Sequence, residues 1–162
     1  MRQDLRSLLL AAALMAPAAA QAQPVGTTRR ILPELRVDAS TGTVDLLHFG
    51  GGFHVNSGTY MRLALLGGLG RAWTAGQSAT SYRFELQGRF HLDPARTSRF
   101  GLYGIGGITA RHDDFSDWQS LIVAGAGIEL PAYAHATLAL EVALAGGFRL
   151  SVLTRRLTLG RR

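Results

Sequence analysis

Residues 81 to 92, SYRFELQGRFHL, separate cleanly at a period of two. Tyr82, Phe84, Leu86, Gly88, Phe90 and Leu92 fall on one side; Ser81, Arg83, Glu85, Gln87, Arg89 and His91 fall on the other. A helix would scatter both sets around its axis, whereas a pleated strand sends alternate residues to opposite faces. The stretch is therefore a strand between an apolar phase and a charged one.

The same alternation recurs along the chain. A first strand over about Arg30 to Ala39 opposes Ile31, Leu35 and Val37 to Glu34, Arg36 and Asp38. A second, about Val44 to Val55, opposes Leu47, Phe49 and Phe53 to His48, Gly50 and His54. A third covers about Thr59 to Trp73, and the loop Thr74 to Ala79 leads into the stretch above. Asp93-Pro94 opens the next turn, since proline after Asp favours turn initiation. A fifth strand spans about Arg99 to Arg111, and His112 to Asp117 reads as a polar loop. A sixth, about Trp118 to Leu130, has poorly distinguished faces. A seventh carries Glu141 among Leu138, Leu140 and Val142, and an eighth runs from Phe148 to about Leu159. Gly146-Gly147 between them suits the positive φ values of a two-residue hairpin. With no helix-period segment between them, these strands predict an all-β, antiparallel up-and-down barrel, whose closure removes every edge.

Ahead of the strands, Met1 to Ala22 has a basic start at Arg2 and Arg6, an apolar run from Leu8 to Ala16, and the small-x-small site Ala20-Gln21-Ala22. This is the pattern of a cleavable secretory signal peptide, and the apolar run is about half of what a helical membrane span needs. Residues 23–29 form a short tether and 30–160 a single barrel domain. There is no cysteine, so neither disulfides nor a lipid-anchored cysteine is available. The formal charge is +6 and every basic residue is arginine. No recognition helix, zinc spacing or aromatic RNA-binding run accompanies that charge, so nucleic acid is not the expected partner. Arginine also suits lipid phosphates, through its planar fork of donors.

Alternation alone leaves open which face is inside. A soluble lipocalin-like barrel buries its apolar face around a ligand; a transmembrane barrel gives that face to lipid and keeps the polar one in its lumen. Three features favour the second reading. The strands exceed the roughly 9 to 11 residues that cross a bilayer at a tilt. Only 17% of residues are charged, and many positions on the polar face are Gly or Ala, which fit a crowded interior better than a solvated surface. Tyr60, Trp73, Tyr82, Phe90, Phe100, Trp118 and Tyr133 fall near strand ends, as interfacial aromatic girdles do.

On these grounds YRFELQGRF, GLYGIGGITA and TLALEVALAGGFRLSV resemble transmembrane strands of the small eight-stranded outer-membrane barrels of Gram-negative bacteria, the outer-membrane protein A and X type. The resemblance implies a location in the outer membrane, contact with its lipids and lipopolysaccharide, and insertion by the barrel-assembly machinery. It also has a departure: such barrels commonly end in an aromatic residue, and this chain ends Leu159-Gly160-Arg161-Arg162.

In such a barrel Glu34, Arg36, Arg62, Arg83, Glu85, Arg89, Glu141 and Arg149 share one narrow lumen, where buried charges must pair. A structural polar plug is expected, with a narrow pore as the alternative. Arg71 and Arg111 end the third and fifth strands at one rim, where they are candidates for lipid phosphate contact. No catalytic residues are expected. Barrel deacylases of this compartment carry a His-x-Ser pair, and His54-Val55-Asn56-Ser57 has the wrong spacing. His112-Asp113-Asp114 with Asp117 reads as a solvated loop before a cation site, and no cofactor is expected.

Overall fold

The alternating runs pair in chain order, and the last returns to the first. The computed structural model describes residues 31–94, 100–131 and 136–156, and its strands close as β1 to β8 in sequence. They are β1 (Ile31–Gly42), β2 (Asp45–Ser57), β3 (Met61–Thr74), β4 (Gln77–His91), β5 (Gly101–Asp113), β6 (Ser116–Glu129), β7 (Ala136–Leu144) and β8 (Gly147–Arg156). Every neighbouring pair is antiparallel, and the β1 and β8 register, from Glu34 opposite Arg155 to Gly42 opposite Gly147, seals the sheet. The expected signal peptide, tether and final residues, and Tyr133, lie outside the described residues.

At the end of the barrel away from the start of β1, strand pairing runs further than periodicity foretold. The expected loop Thr74 to Ala79 is instead a two-residue turn at Ala75-Gly76, with φ of 46° and 81°. Positive φ at both central positions matches the right-handed twist of the flanking strands. Gln77, Ser78 and Thr80 are polar because they stand above the apolar band, and their backbones pair all the same. The loop His112 to Asp117 likewise contracts to Asp114-Phe115, where the Asp113 carboxylate accepts from the Phe115 amide (3.1 Å) and the Ser116 hydroxyl (2.8 Å). The last hairpin turns at Ala145-Gly146, so only Gly146, at φ 74°, needs the left-handed region.

At inner-face glycines of β2 and β3 the paired strand's backbone comes too close to admit a side chain. A Cβ on Gly50 would lie 2.7 Å from the Gly68 Cα, and one on Gly70 would lie 2.8 Å from the His48 Cα. The close approach of β2 and β3 thus requires hydrogen at these positions. A small apolar cluster of Tyr103, Ile105, Val123, Ala139, Ala143 and Leu153 lines the inside of β5 to β8. It explains why β6 reads ambiguously, since Val123 points in and Ile122 points out.

Candidate functional site

The partition of polarity across the wall is the reverse of a soluble protein's. Leu35, Phe49, Leu65, Phe84, Ile122 and Leu144 point outward and are exposed, Ile122 at 79%. Glu34, Arg36, Glu85, Arg89, Glu141 and Arg149 point inward, each no more than 2% exposed. An apolar belt of this extent far exceeds the few hundred Å² that water-soluble monomers tolerate in one patch. Aromatic side chains edge the belt at both ends: Tyr60, Phe90 and Phe100 at the end where β1 starts and β8 finishes, and Trp73, Tyr82, Trp118 and Phe148 at the opposite, hairpin rim. Tyr60 stacks on Phe90 at 5.7 Å, and Trp118 packs against Phe84 and His112 at 6.2 and 5.3 Å.

Inside, the residues expected to share the lumen do meet. Arg89 donates both terminal nitrogens to the two oxygens of Glu34, each at 2.6 Å, and Arg149 grips Glu85 in the same fashion at 2.7 and 3.0 Å. Such paired parallel bonds fix orientation as well as neutralising charge. Glu141 stands between the two pairs. It accepts from Tyr103 (2.9 Å) and Arg36 (3.3 Å), and Arg89 approaches it to 2.9 Å. Arg83 bonds Asp38, and Arg62, the most exposed of the set at 22%, bonds Glu129.

Sequence reasoning missed several members. Asp38 joins Arg36 (2.9 Å) to Arg83, and Arg155 ties Glu129 to Glu34 (3.0 Å) and Glu141 (3.4 Å). Both residues share the strand parity of Glu34 and Arg149, a signal that was present. Glu129 and Tyr103 were concealed, the first by the indistinct faces of β6. The Tyr103 ring lies where Gly127 on the paired strand leaves room, since a Cβ there would come within 2.6 Å of its edge.

Arg71 and Arg111 share the hairpin rim, but their side chains take opposite sides of the wall. Arg71 points outward and is exposed, donating to the Ser78 hydroxyl at 3.0 Å. Arg111 belongs to the inner set, bonded to Gln119 (2.8 Å) and 3.4 Å from Asp113. Its parity with Tyr103 and Thr109 turns it inward, so the expectation of lipid contact does not fit it.

Tertiary folding also creates a serine and histidine contact that no sequence spacing announced, His48 Nε2 to Ser81 Oγ at 3.0 Å. Asp38 lies opposite His48 on β1, yet its oxygens go to Arg36 and Arg83, and His48 Nδ1 has no hydrogen-bond partner. An imidazole without an orienting carboxylate, beside a hydroxyl of 0% exposure, lacks the geometry of an activated nucleophile. Around the expected polar loop, Asp113 is occupied by the turn and His112 by Trp118.

No family model matches the chain, and no curated protein matches it in sequence. Among solved structures, the N-terminal β-barrel domain of Pseudomonas aeruginosa OprF superimposes with a TM-score of 0.55 at 13% identity, covering 80% of this chain and 98% of that one. The chain has the fold of the small eight-stranded outer-membrane barrels. Neisserial surface protein A (NspA) matches at TM-score 0.47 and 12% identity, over 79% of this chain and 96% of its own. A de novo designed barrel, TMB2.3, matches at 0.45 and 14%, over 80% and 95%.

Proposed function

We propose that this protein is an integral barrel of the outer membrane with a structural or accessory role, its polar lumen closed by the arginine and carboxylate network and carrying no catalytic machinery. The observation that supports this most is the reversed polarity of the wall: apolar side chains exposed from Leu35 around to Val152, and charge buried within. In water that arrangement would expose an uninterrupted hydrophobic surface; in a bilayer it removes the same surface from water. A lipocalin-like carrier needs an apolar cavity, and here the inner space is taken up by Arg36, Arg89, Arg149 and their partners. A narrow pore would need the Glu34 to Arg89 and Glu85 to Arg149 pairs to part. The chain enters with its termini on the periplasmic side, so the hairpin rim meets the outer leaflet.

Cell fractionation with gel mobility tests the proposal. Recovery with outer membranes, and a migration that changes on boiling, is expected of a closed lipid-facing barrel. Recovery in the soluble periplasmic fraction would overturn it.

A further inference from the structure

One stretch of the wall is paired on a single side. β6 pairs with β5 from Ser116 to Glu129, but its pairing with β7 covers only Ala124 to Glu129. Above that level β7 turns into β8 at Ala145-Gly146, and Leu121 packs over the turn, where a Cβ on Gly146 would lie 2.8 Å from its Cδ1. Among the described residues no strand pairs with residues 116–123 on that side. The Leu130 amide donates to the Leu138 carbonyl at 2.8 Å, toward β7. Alternate residues of a regular antiparallel strand send their backbone groups to the same side. The amides and carbonyls of Ile122 and Ser120 therefore face the open side.

An open edge of this kind is a template for a further strand. Hydrocarbon offers its backbone groups no partner, so it belongs at the level of the rim, where Trp118 stands and an incoming strand displaces water. A second copy in the same membrane fits it badly. Barrel strands tilt by about 35 to 45°, and two copies side by side tilt their β6 edges in opposite senses, so the edges cross. On the outer face an added strand lies beside exposed Trp118 and Ile122, which calls for apolar side chains at alternate positions. At the tip it reaches Asp114 and Asp117, both exposed and neither within 4.0 Å of an arginine among the described residues. Asp113, by contrast, is taken up by its own turn and by Arg111. The two carboxylates left at the tip call for cationic residues at the end of the strand that meets them.

We infer that the open edge of β6 receives an extended cationic segment of another protein as an added antiparallel strand. The edge follows from the strand registers, and its level at the outer rim rests on the membrane reading above. The full chain, refolded in detergent micelles, is titrated into a fluorescent peptide of three Thr-Val repeats ended by two arginines, with protein-free micelles as the blank, and anisotropy is read. Saturable binding is expected. The same peptide with the backbone amides of its repeats methylated keeps its charge and side chains but cannot donate, and should bind at least about tenfold more weakly. Ser120→Pro removes a donor from the open edge and leaves the bonds to β5 in place, so it should weaken binding comparably while the heat-dependent mobility persists. Binding no stronger than to protein-free micelles, or equal binding of the methylated peptide, would overturn strand addition whether or not Ser120→Pro folds. Wild-type dimers in micelles that Ser120→Pro abolishes would assign the edge to a second copy and overturn it as well. A wild-type chain without the heat-dependent mobility would overturn the closed-barrel reading and this site with it.

Discussion

Glu141 shows how much one lumenal side chain is asked to balance. It faces Arg36, Arg89 and Arg155 and accepts from Tyr103, while 1% of it is exposed. Removing its charge leaves several buried guanidinium groups with fewer anions. Glu141→Gln should lower stability by about 3 kcal/mol, the lower end for breaking a buried ion pair, because the amide keeps one acceptor oxygen. Glu85→Gln should cost a similar amount by releasing Arg149. Urea unfolding in detergent, followed by gel mobility, measures both; wild-type midpoints in the two variants would show that the network does not hold the barrel. Glu34, Glu85 and Glu141 were readable from strand parity, while their particular partners were not. Glu85 and Arg149 are 64 residues apart and meet only across the closed lumen.

Among the elements, the inner-face glycines Gly50 and Gly52 of β2 differ in kind from the outer-face Gly104 and Gly106 of β5. A Cβ on Gly50 or Gly52 would meet backbone atoms of β3, at 2.7 Å and 2.9 Å from the Gly68 and Leu66 Cα atoms. Around Gly104 and Gly106, on the outer face of β5, a Cβ would meet nothing within 4 Å. Gly50→Ala and Gly52→Ala should therefore each destabilise the barrel by about 1 to 3 kcal/mol, the usual cost of overpacking. Gly104→Ala and Gly106→Ala should stay within about 0.5 kcal/mol of wild type. Refolding yields of the four variants, read as the fraction in the fast-migrating form, test the contrast. Equal yields across the set would mean that this strand pair does not depend on glycine. In the sequence these glycines look alike, because a strand pattern records which face a residue takes and not how near the next backbone runs.

For the whole molecule, the network decides whether the barrel is a passage. Ion pairs connect Arg62 near one end, through Glu129, Arg155, Glu141 and Arg36, to Asp38 and Arg83 toward the other. Bidentate pairs at Glu34 and Glu85 add cross-links to this chain. Opening a path would separate buried charges in a medium where each separation costs several kcal/mol. In planar bilayers the reconstituted protein should give no steady conductance; sustained single-channel steps at low voltage would sink the closed-lumen reading.

Period-two alternation, turn residues and strand lengths were enough to establish strands, their order and the two faces of most of them, because each depends on neighbours along the chain. The sixth strand and the hairpin-rim turns were less well read, since apolar residues sit on both faces of β6 and polar residues stand above the belt at Gln77 and Ser78. The register in which β8 closes on β1, and which arginine finds which carboxylate, were decided only by tertiary structure. Those outcomes rest on curvature and on contacts between strands far apart in sequence, where one register places Arg111 in the lumen and leaves Arg71 facing outward.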